Sequence, residues 1–497
     1  LAEAGQSDLV IDFPFVNVAY HPPVMEILVA QLAAVGITAS TRSEDLPTWL
    51  DRTWTQGNYE MSQITDSGPI SQFGCEGGRE PLGKSSQLCI PELEAMLTAS
   101  DTYVDRDEYL AAMAELTNTF ADLAWVTAMF APRTPQVARA DLAGIQAIRI
   151  NNSFDLGNIT WSDGDAPVAE PAPVAEAAPA AEAADSRGTL LTLTLPQEPA
   201  SWNYWEVGAN ALRVPTFYNV QEALVENLPD GSIIPMLAEA WEVSDDGRVF
   251  TFTIREVKFH DGTDLDSADV VYSLNKNAES PLGKLSTVYG NVESVEATDA
   301  RTVVITLINP SASFLPEMGW SAGYVVPEDS HEELDLATQM PGTGPYVFGE
   351  YKPDTSLTMT RFADYWGELP YFEDILFFFV DDETAALNGL KAGEYDIVTA
   401  VVGEGVDRVP TFIENDDFQV VFELGGEISY IFLNHNMPEL EDIRVRQAIA
   451  HAIDRQPHID AALAGFGDPS CLIAVPHSVA YNSDYCPYPY DPDRAIE

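Results

Sequence analysis

Basic residues are scarce in this sequence of 497 residues, in which 24 lysines and arginines stand against 79 aspartates and glutamates. The resulting formal charge of −55 argues against nucleic-acid binding, because a protein that holds phosphates needs a basic surface to replace their counterions. It also argues against docking on anionic lipid. We interpret the charge as a solvated acidic shell of the kind found in salt-adapted proteins. An acidic surface that selects cationic ligands is the alternative.

Long apolar runs and the common catalytic motifs are also absent. No run approaches the ~18 residues of a membrane-spanning helix, and the densest run, 375–380, has the length of a strand. There is no G-x-S-x-G, no P-loop and no H-E-x-x-H, since His331-Glu332-Glu333 lacks the second histidine. The seven histidines form no metal-ligand cluster by spacing. We therefore expect no catalytic activity, no cofactor and no metal; a glycosidase-like relative is the catalytic alternative.

Cysteine is limited to four residues, which fall into two local pairs, Cys75 with Cys89 and Cys471 with Cys486. Neither spacing fits a zinc or redox motif, and four cysteines allow three connectivities. Closing each local loop is the economical choice and contributes about 3 kcal/mol per loop of this size. Two short-range disulfides would place the protein in an oxidising, extracytoplasmic compartment. Buried free thiols are the alternative.

One stretch, residues 165–185, consists almost entirely of Ala, Pro, Glu and Val and has no aromatic residue. Such a composition cannot bury enough apolar surface to offset the entropy of ordering, so it predicts an extended, solvated linker. On either side of it, helical and strand periodicities alternate, which predicts mixed sheets covered by helices. The clearest predicted elements are a hairpin over 237–260 with an Asp-Asp-Gly turn, helices over 91–100, 106–123 and from Asp442, and a short helix over 220–224.

The two ends of the chain complement each other. Residues 1–5 (LAEAG) have the features of a helix end, with Gly5 after the C-cap. Residues 491–497 (DPDRAIE) have those of a helix start, with Asp491 as N-cap and Pro492 in the first turn. The sequence therefore predicts a rotated order, 188–497 followed by 1–163. A circular permutant or a fragment of a tandem polypeptide would both give this order, and a break inside a helix favours the fragment. In either case we expect the two pieces to dock into one near-complete unit.

In that order, the chain carries six motifs whose sequence and spacing are shared with one family. They are LAEAWEVS (237–244), VKFHDG (257–262), SADVVYS (267–273), GTGPY (342–346), DIRVRQAI (442–449) and AIDR (452–455). On these motifs the chain resembles the extracytoplasmic solute-binding proteins of family 5, the peptide/nickel-binding proteins of ABC importers. Residue by residue we interpret the motifs as scaffold. Trp241 and Phe259 are expected in the core, His260-Asp261-Gly262 in a turn, and Arg444, Arg446 and Asp454 in an ion network on a helix surface.

The resemblance implies an α/β, two-lobed periplasmic-binding-protein fold (type II, Venus flytrap) with mixed sheets, in which the ligand is buried between the lobes. The implied division is 1–125 as the C-terminal part of the smaller lobe, 126–163 as a return to the larger lobe, 164–187 as linker, 188–433 as the larger lobe with an inserted subdomain, and 434–497 as the N-terminal part of the smaller lobe.

Ligand groups are then expected from loops that face the cleft. Aromatic faces suit side-chain packing, amides suit peptide backbones, and a carboxylate suits an α-amino group. The candidates are Asn203, Tyr204, Trp205, Trp320, Tyr324, Asn434, Asn436 and Asp66. Peptide binders of the family usually carry an amine-binding Asp near the position of Pro69, so Asp66 would have to take over that role.

The function implied by the resemblance is that of an extracytoplasmic receptor for a small, oligopeptide-like solute, which it delivers to the permease subunits of an ABC transporter. It would work in the periplasm or on the outer face of the cell membrane, free or lipid-anchored. The alternatives are an oligosaccharide or metal-chelate binding protein, and a ligand-sensing receptor without transport.

Overall fold

The computed structural model describes residues 1–6, 9–17, 21–66, 91–100, 102–145, 155–162, 188–207, 210–228, 231–282, 285, 288–403, 405–422, 426–434, 436–476, 478 and 481–497. Cys75, Cys89 and the linker 165–185 lie outside these ranges, so the predicted 75–89 disulfide stays a prediction.

Aspartates define where many of the helices begin. The side chains of Asp45, Asp105, Asp382 and Asp491 each accept a backbone N–H of the following first turn, and Asp266 forms a capping box. Part of the acidic composition therefore has a local structural role. The helices are α1 (His21–Ala34), α2 (Leu46–Leu50, continued by a π-turn over Asp51–Thr55), α3 (Pro91–Ser100), α4 (Arg106–Asp122), α5 (Asn210–Thr216), α6 (Ser267–Ala278), α7 (Phe314–Glu317), α8 (Ser330–Glu333), α9 (Glu383–Ala392), α10 (Pro410–Ile413), α11 (Ile443–His451), α12 (Gln456–Leu463) and α13 (Pro492–Ile496).

The strands form two large mixed sheets, one four-stranded antiparallel sheet and two two-stranded sheets. They are β1 (Val10–Val16), β2 (Thr38–Glu44), β3 (Met61–Asp66), β4 (Val126–Pro132), β5 (Pro135–Arg139), β6 (Leu142–Ala143), β7 (Thr160–Trp161), β8 (Leu190–Leu195), β9 (Val225–Asn227), β10 (Ile233–Pro235), β11 (Ala238–Val243), β12 (Val249–Ile254), β13 (Val292–Asp299), β14 (Thr302–Leu307), β15 (Tyr346–Lys352), β16 (Ser356–Arg361), β17 (Asp374–Phe379), β18 (Ile397–Val398), β19 (Phe418–Phe422), β20 (Ile428–Leu433) and β21 (Gly467–Pro469).

The first large sheet has the order β2-β1-β3-β20-β4-β21, and the second has the order β15-β16-β17-β8-β18-β5-β19. We call the units built on them the small lobe and the large lobe. Strands β4 and β20 are buried along their whole length, as expected for central strands covered on both faces. The sheet β11-β12-β14-β13 belongs to a subdomain of the large lobe with a core of its own, in which Phe250, Phe252 and Ile305 are buried. The two two-stranded sheets are β9 with β10 and β6 with β7.

Each of the two chain segments inserts a strand into the other's sheet. Strand β20 of the segment after the linker lies between β3 and β4 of the segment before it. Conversely, β5 lies between β18 and β19. The two segments are therefore interleaved in both lobes, and neither sheet is complete without the other segment.

The head and tail of the chain meet in the small lobe. The N–H groups of Leu1, Ala2 and Glu3 donate to the carbonyls of Ala495, Ile496 and Glu497 at 3.3, 3.2 and 2.9 Å. Leu1 and Ala495 are buried in the core of that lobe. This contact agrees with the predicted docking of the two pieces, whereas the rotated order itself stays a prediction.

Both lobe boundaries in the structure differ from those predicted. Strand β4 lies in the small-lobe sheet, so the chain crosses to the large lobe at residues 133–134 and not after 125. Strand β20 also lies in that sheet, so the return crossing comes between β19 and β20 and not after 433. The reason is that a fully buried strand has the same apolar pattern in either sheet.

Two further expectations are wrong. Residues 220–224 are not helical; Gln221 and Ala223 form isolated β-bridges, and the whole segment is buried. Arg446 does not lie on a helix surface but is 4 % exposed, donates to the carbonyls of Leu440, Glu441 and Leu123, and lies 3.7 Å from the ring centre of Trp125. Burial lowers its pKa to about 10, so it remains charged.

Cys471 and Cys486 are joined by a disulfide, with Cα atoms 5.1 Å apart. Its loop packs on the small lobe, where Tyr485 donates to the carboxylate of Asp122 at 2.6 Å. Among the residues that the structure describes, no helix combines the length and the apolar character needed to cross a membrane.

Candidate functional site: the crevice between the two sheets

The chain crosses between the two large sheets at the side of each sheet where its parallel strands end. Strand β4 leaves the small-lobe sheet at its carboxyl end, and two residues later β5 begins in the large-lobe sheet. Strands β1, β2 and β3 run parallel in one sheet, and β17, β8 and β18 run parallel in the other. Their carboxyl ends therefore border one crevice, which is where open α/β sheets bind ligands. We call these borders the small-lobe edge and the large-lobe edge.

The first group of predicted ligand residues follows β8 at the large-lobe edge. Asn203 is 8 % exposed, and its side-chain Oδ1 atom accepts the N–H of Trp205 at 3.1 Å. Tyr204 is 5 % exposed and donates to Asn277 at 3.3 Å. Trp205 is half-buried, and its indole donates to the carbonyl of Lys276 at 2.5 Å. All three side chains thus fix the loop to itself or to the subdomain, and a ligand role for them stays a prediction.

The predicted pair Trp320 and Tyr324 lies at the 3-10 turn Ser321–Gly323. Tyr324 is fully buried, with its ring packed edge-on against Tyr204 at 5.4 Å and Phe217 at 5.0 Å. Trp320 is half-buried. The structure therefore joins Tyr204 and Tyr324 inside the subdomain core.

The remaining predicted residues belong to the small lobe. Asn434 is 2 % exposed and donates to the carbonyls of Gly57 and Tyr59 at 3.0 and 2.8 Å, which is a structural role. Asn436 is exposed, and its N–H donates to Asn434 at 3.1 Å. The backbone of Asp66 ends β3, opposite Ile428; its side chain lies outside the described residues. Asn434 and Asn436 thus lie at the opposite end of β20 from Asp66.

Sequence reasoning missed a buried polar cluster on β3, β20 and the start of α1. Gln63 is fully buried, donates to Ser429 at 2.9 Å, and lies 3.4 Å from the Nε2 atom of His21. Thr65, the partner of Ser429 across the strands, continues the cluster to the small-lobe edge. Burial lowers the pKa of His21 to about 4, so the cluster is uncharged at neutral pH. Its only signal in the sequence is a glutamine inside a buried strand.

A contact spans the two lobes away from the crossings. The loop before α4 lies at the small-lobe edge, because α4 runs back along the sheet to the start of β4. From there Arg106 donates to the carbonyl of Gly231 at 2.8 Å. A Cβ atom at Gly247, in the turn between β11 and β12, would lie 2.9 Å from a methyl carbon of Val104. The lobes are thus in contact across the crevice in this conformation.

Replacing Gly247 by alanine should weaken this contact. Gly262 is the matched control: both glycines have positive φ, +68° and +89°, but a Cβ at 262 would meet nothing within 4 Å. Alanine at either position pays the left-handed backbone strain of roughly 1–2 kcal/mol. We expect Gly247→Ala, but not Gly262→Ala, to increase the radius of gyration in small-angle scattering as well. Adding Val104→Ala to Gly247→Ala should restore the original radius, because it removes the methyl carbons that the new Cβ atom meets. Equal radii for the two single variants would contradict the contact.

Metal binding has no support in the geometry: within the described ranges, no three His, Cys, Asp or Glu side chains could hold a metal ion together.

Comparison with known proteins identifies the family. The model of the "Bacterial extracellular solute-binding proteins, family 5 Middle" matches residues 232–497, more than half of the chain. The glutathione-binding protein GsiB of Salmonella paratyphi A is 31% identical over 274 residues, which cover 54% of this chain and 52% of that protein. The dipeptide-binding protein of Escherichia coli is 29% identical over 294 residues, with 53% and 54% covered. The chain spans about half the length of these curated relatives.

Among solved structures, the periplasmic binding protein AgaA of A. tumefaciens R10, in complex with agropinic acid, superposes with a TM-score of 0.50 at 26% identity. The match covers 62% of each chain. The expected α/β, two-lobed periplasmic-binding-protein fold is thereby confirmed. The chain belongs to the bacterial extracellular solute-binding proteins of family 5.

Proposed function

We propose that this protein is an extracytoplasmic receptor that binds an oligopeptide-like solute between its two lobes and delivers it to an ABC importer. The observation that carries the proposal is the crevice itself, in a chain that belongs to family 5. Two sheets turn their carboxyl edges toward each other, and among the described strands the chain passes between the sheets twice, from β4 to β5 and from β19 to β20. Such a double crossing is the geometry of a hinge.

The small-lobe edge supports a neutral, amide-rich solute. The half-buried Thr65 presents a hydroxyl at this edge, and behind it lies the buried, uncharged cluster of Gln63, Ser429 and His21. A peptide backbone presents the matching N–H and C=O groups. The names of two relatives, a glutathione-binding and a dipeptide-binding protein, point to the same solute class.

Binding would act through lobe closure. Contacts that a solute makes with both edges exist only when the crevice is closed, so the solute stabilises the closed state over the open one. The contact of Arg106 with Gly231 also joins the two lobes, so it too stabilises the closed state over the open one. The closed receptor would then be recognised by permease subunits, with no chemical change to the solute.

The disulfide between Cys471 and Cys486 supports an extracytoplasmic location, because such bonds persist in oxidising compartments. We place the receptor in the periplasm or on the outer face of the cell membrane.

A ligand panel tests the proposal. Isothermal calorimetry on the full chain would use dialanine, trialanine and reduced glutathione, with maltotriose and the nickel–histidine chelate for the alternative solute classes. We expect saturable binding of at least one peptide, and small-angle scattering should show a smaller radius of gyration at saturation. Binding of only the saccharide or the chelate would replace the peptide by that class. Binding of none, in protein that native mass spectrometry shows to be free of retained solute, would contradict a receptor for these solutes.

A further inference from the structure

The connector between β4 and β5 is short and stiff. It consists of Arg133 and Thr134, with Pro132 before them and Pro135 after them. Proline fixes its own φ and holds the preceding residue in an extended conformation, so few dihedral angles of this connector are free. Together with the second passage, from β19 to β20, these angles define how the two lobes turn relative to each other.

A turn of the small lobe lies against this connector. Ala464 and Gly465, which follow α12, have φ of +50° and +86°, and there the chain reverses to enter β21 beside β4. A non-glycine residue rarely adopts such a φ and keeps it only where the surrounding structure enforces it. At the reversal, the carbonyl of Phe466 accepts the N–H of Arg133 at 3.1 Å. The backbone of residue 466 is therefore fixed to the small lobe, at the point where the chain leaves that lobe.

The side chain of Phe466, in contrast, packs on the large lobe. It lies against an apolar cluster that includes Val137 of β5 and Val398 of β18. Its ring centre lies 4.9 Å from that of Phe422, the last residue of β19, with the two rings tilted by 45°. Aromatic rings at this separation attract each other beyond the effect of their buried area. One side chain carried by the small lobe is thus packed on the large lobe, next to both passages of the chain.

The location of Phe466 distinguishes it from the other contact between the lobes. When one body turns about a hinge, points close to the axis move little and points far from it move most. Phe466 is bonded to the connector itself, whereas the contact of Arg106 with Gly231 lies away from the crossings. Opening of the crevice therefore separates Arg106 from Gly231 but leaves the ring of Phe466 in place.

We propose that Phe466 is the pivot of lobe closure, a positioning residue whose ring stays packed on the large lobe and limits the lobes to one closing rotation. The proposal rests on the receptor function proposed above and deepens it by naming the residue that guides closure. A limited rotation reduces the number of open arrangements, so less conformational entropy is lost when a solute closes the crevice. Because this effect arises within the protein alone, it is the same for every solute.

Phe466→Ala tests the pivot, and Phe418→Ala is the matched control. Phe418 is also a half-buried phenylalanine packed against the same cluster, but it belongs to β19 of the large lobe itself. Both variants remove one ring from the cluster, so both should lower the urea midpoint of unfolding. Only Phe466→Ala should increase the radius of gyration of the solute-free protein in small-angle scattering. In residue-resolved hydrogen exchange, the amide of Arg133 should also exchange at least about 10-fold faster in this variant alone.

Calorimetry with dialanine and trialanine adds a readout that a merely structural role would not move. Phe466→Ala should lower the affinity for both peptides by the same factor, at least about 5-fold, whereas Phe418→Ala should lower neither. Clearly different factors for the two peptides would overturn the pivot, because its effect does not depend on the solute.

An unchanged radius and an unchanged exchange rate at Arg133 in Phe466→Ala would also overturn the pivot, as would equal changes in Phe418→Ala. These two measurements need no solute, so they decide the pivot even where neither peptide binds, a result that counts against the receptor function alone. If Phe466→Ala does not fold, Phe466→Leu takes its place, because it keeps an apolar side chain but loses the ring contact with Phe422. The same two measurements then decide.

Discussion

Replacing Glu222 by alanine is expected to lower the free energy of unfolding by about 3–5 kcal/mol. The side chain is fully buried and accepts three hydrogen bonds: from Thr343 and the indole of Trp366 at 2.8 Å, and from the hydroxyl of Tyr365 at 3.0 Å. Alanine would leave the buried Thr343 hydroxyl and the half-buried Tyr365 and Trp366 donors without their acceptor, and it would open a cavity. Urea unfolding followed by fluorescence measures the change.

Two further variants serve as comparisons for the Glu222→Ala prediction. Glu222→Gln should lose less than alanine, because one amide oxygen still accepts and the Tyr365 hydroxyl can reverse its role. Glu239→Ala is the matched control: Glu239 is exposed and pairs with Arg301 at 2.6 Å, and such surface pairs contribute about 0–1 kcal/mol. If Glu222→Ala costs no more than Glu239→Ala, the buried network does not hold the GTGPY loop as described.

Acidification should destabilise the protein well before its carboxylates protonate. His21 and His458 are buried and His260 is half-buried, and loss of hydration lowers the pKa of each from 6.5 to about 4. Between these values the unfolded chain binds more protons than the folded one, so stability is full above about pH 6.5 and falls as the pH drops toward 4. Three such groups give a slope of up to about 4 kcal/mol per pH unit.

Urea unfolding between pH 7.5 and 5 measures this slope. The range stops at 5 because burial raises the pKa of Asp269 and Glu60, and their protonation acts in the opposite direction at lower pH. His260→Gln can keep the hydrogen bond to the carbonyl of Gly344, now 2.9 Å from Nε2, and should remove about a third of the slope. A flat profile, or an unchanged slope in the variant, would contradict histidines that are neutral in the folded protein.

Local signals were enough to predict the elements but not their partners. The Asp-Asp-Gly turn at 245–247 gives the hairpin of β11 and β12, and Asp442 caps α11 as predicted. The GTGPY motif is scaffold because a Cβ at Gly342 would lie 1.9 Å from the carbonyl oxygen of Val220. By contrast, the sequence does not show which sheet receives β4 or β20, because both are mostly apolar strands that are buried along their whole length.

The residues of the candidate site were harder to predict, because the local sequence does not show which distant residues a side chain contacts. Tyr204 and Tyr324 have the composition of ligand contacts and lie in the subdomain core; an aromatic ring with one hydroxyl serves either purpose, so a ligand role for them stays a prediction. Glu383 has the sequence position of an ordinary first-turn carboxylate of α9, but it accepts the N–H groups of Val402 and Gly405, which are about twenty residues away in sequence. Polar contacts between residues far apart in sequence produce no periodic pattern from which they could be predicted.

The most direct test of this account is to cut the chain between its two segments. A protease site inserted within residues 165–185, which their composition predicts to be extended and solvated, would separate 1–162 from 188–497. Because β20 and β5 interleave the segments in both lobes, we expect the cleaved pieces to elute together in native size-exclusion chromatography at low micromolar concentration, with an unchanged circular dichroism spectrum, and to separate only in denaturant. Pieces that separate without denaturant would contradict a single two-lobed receptor.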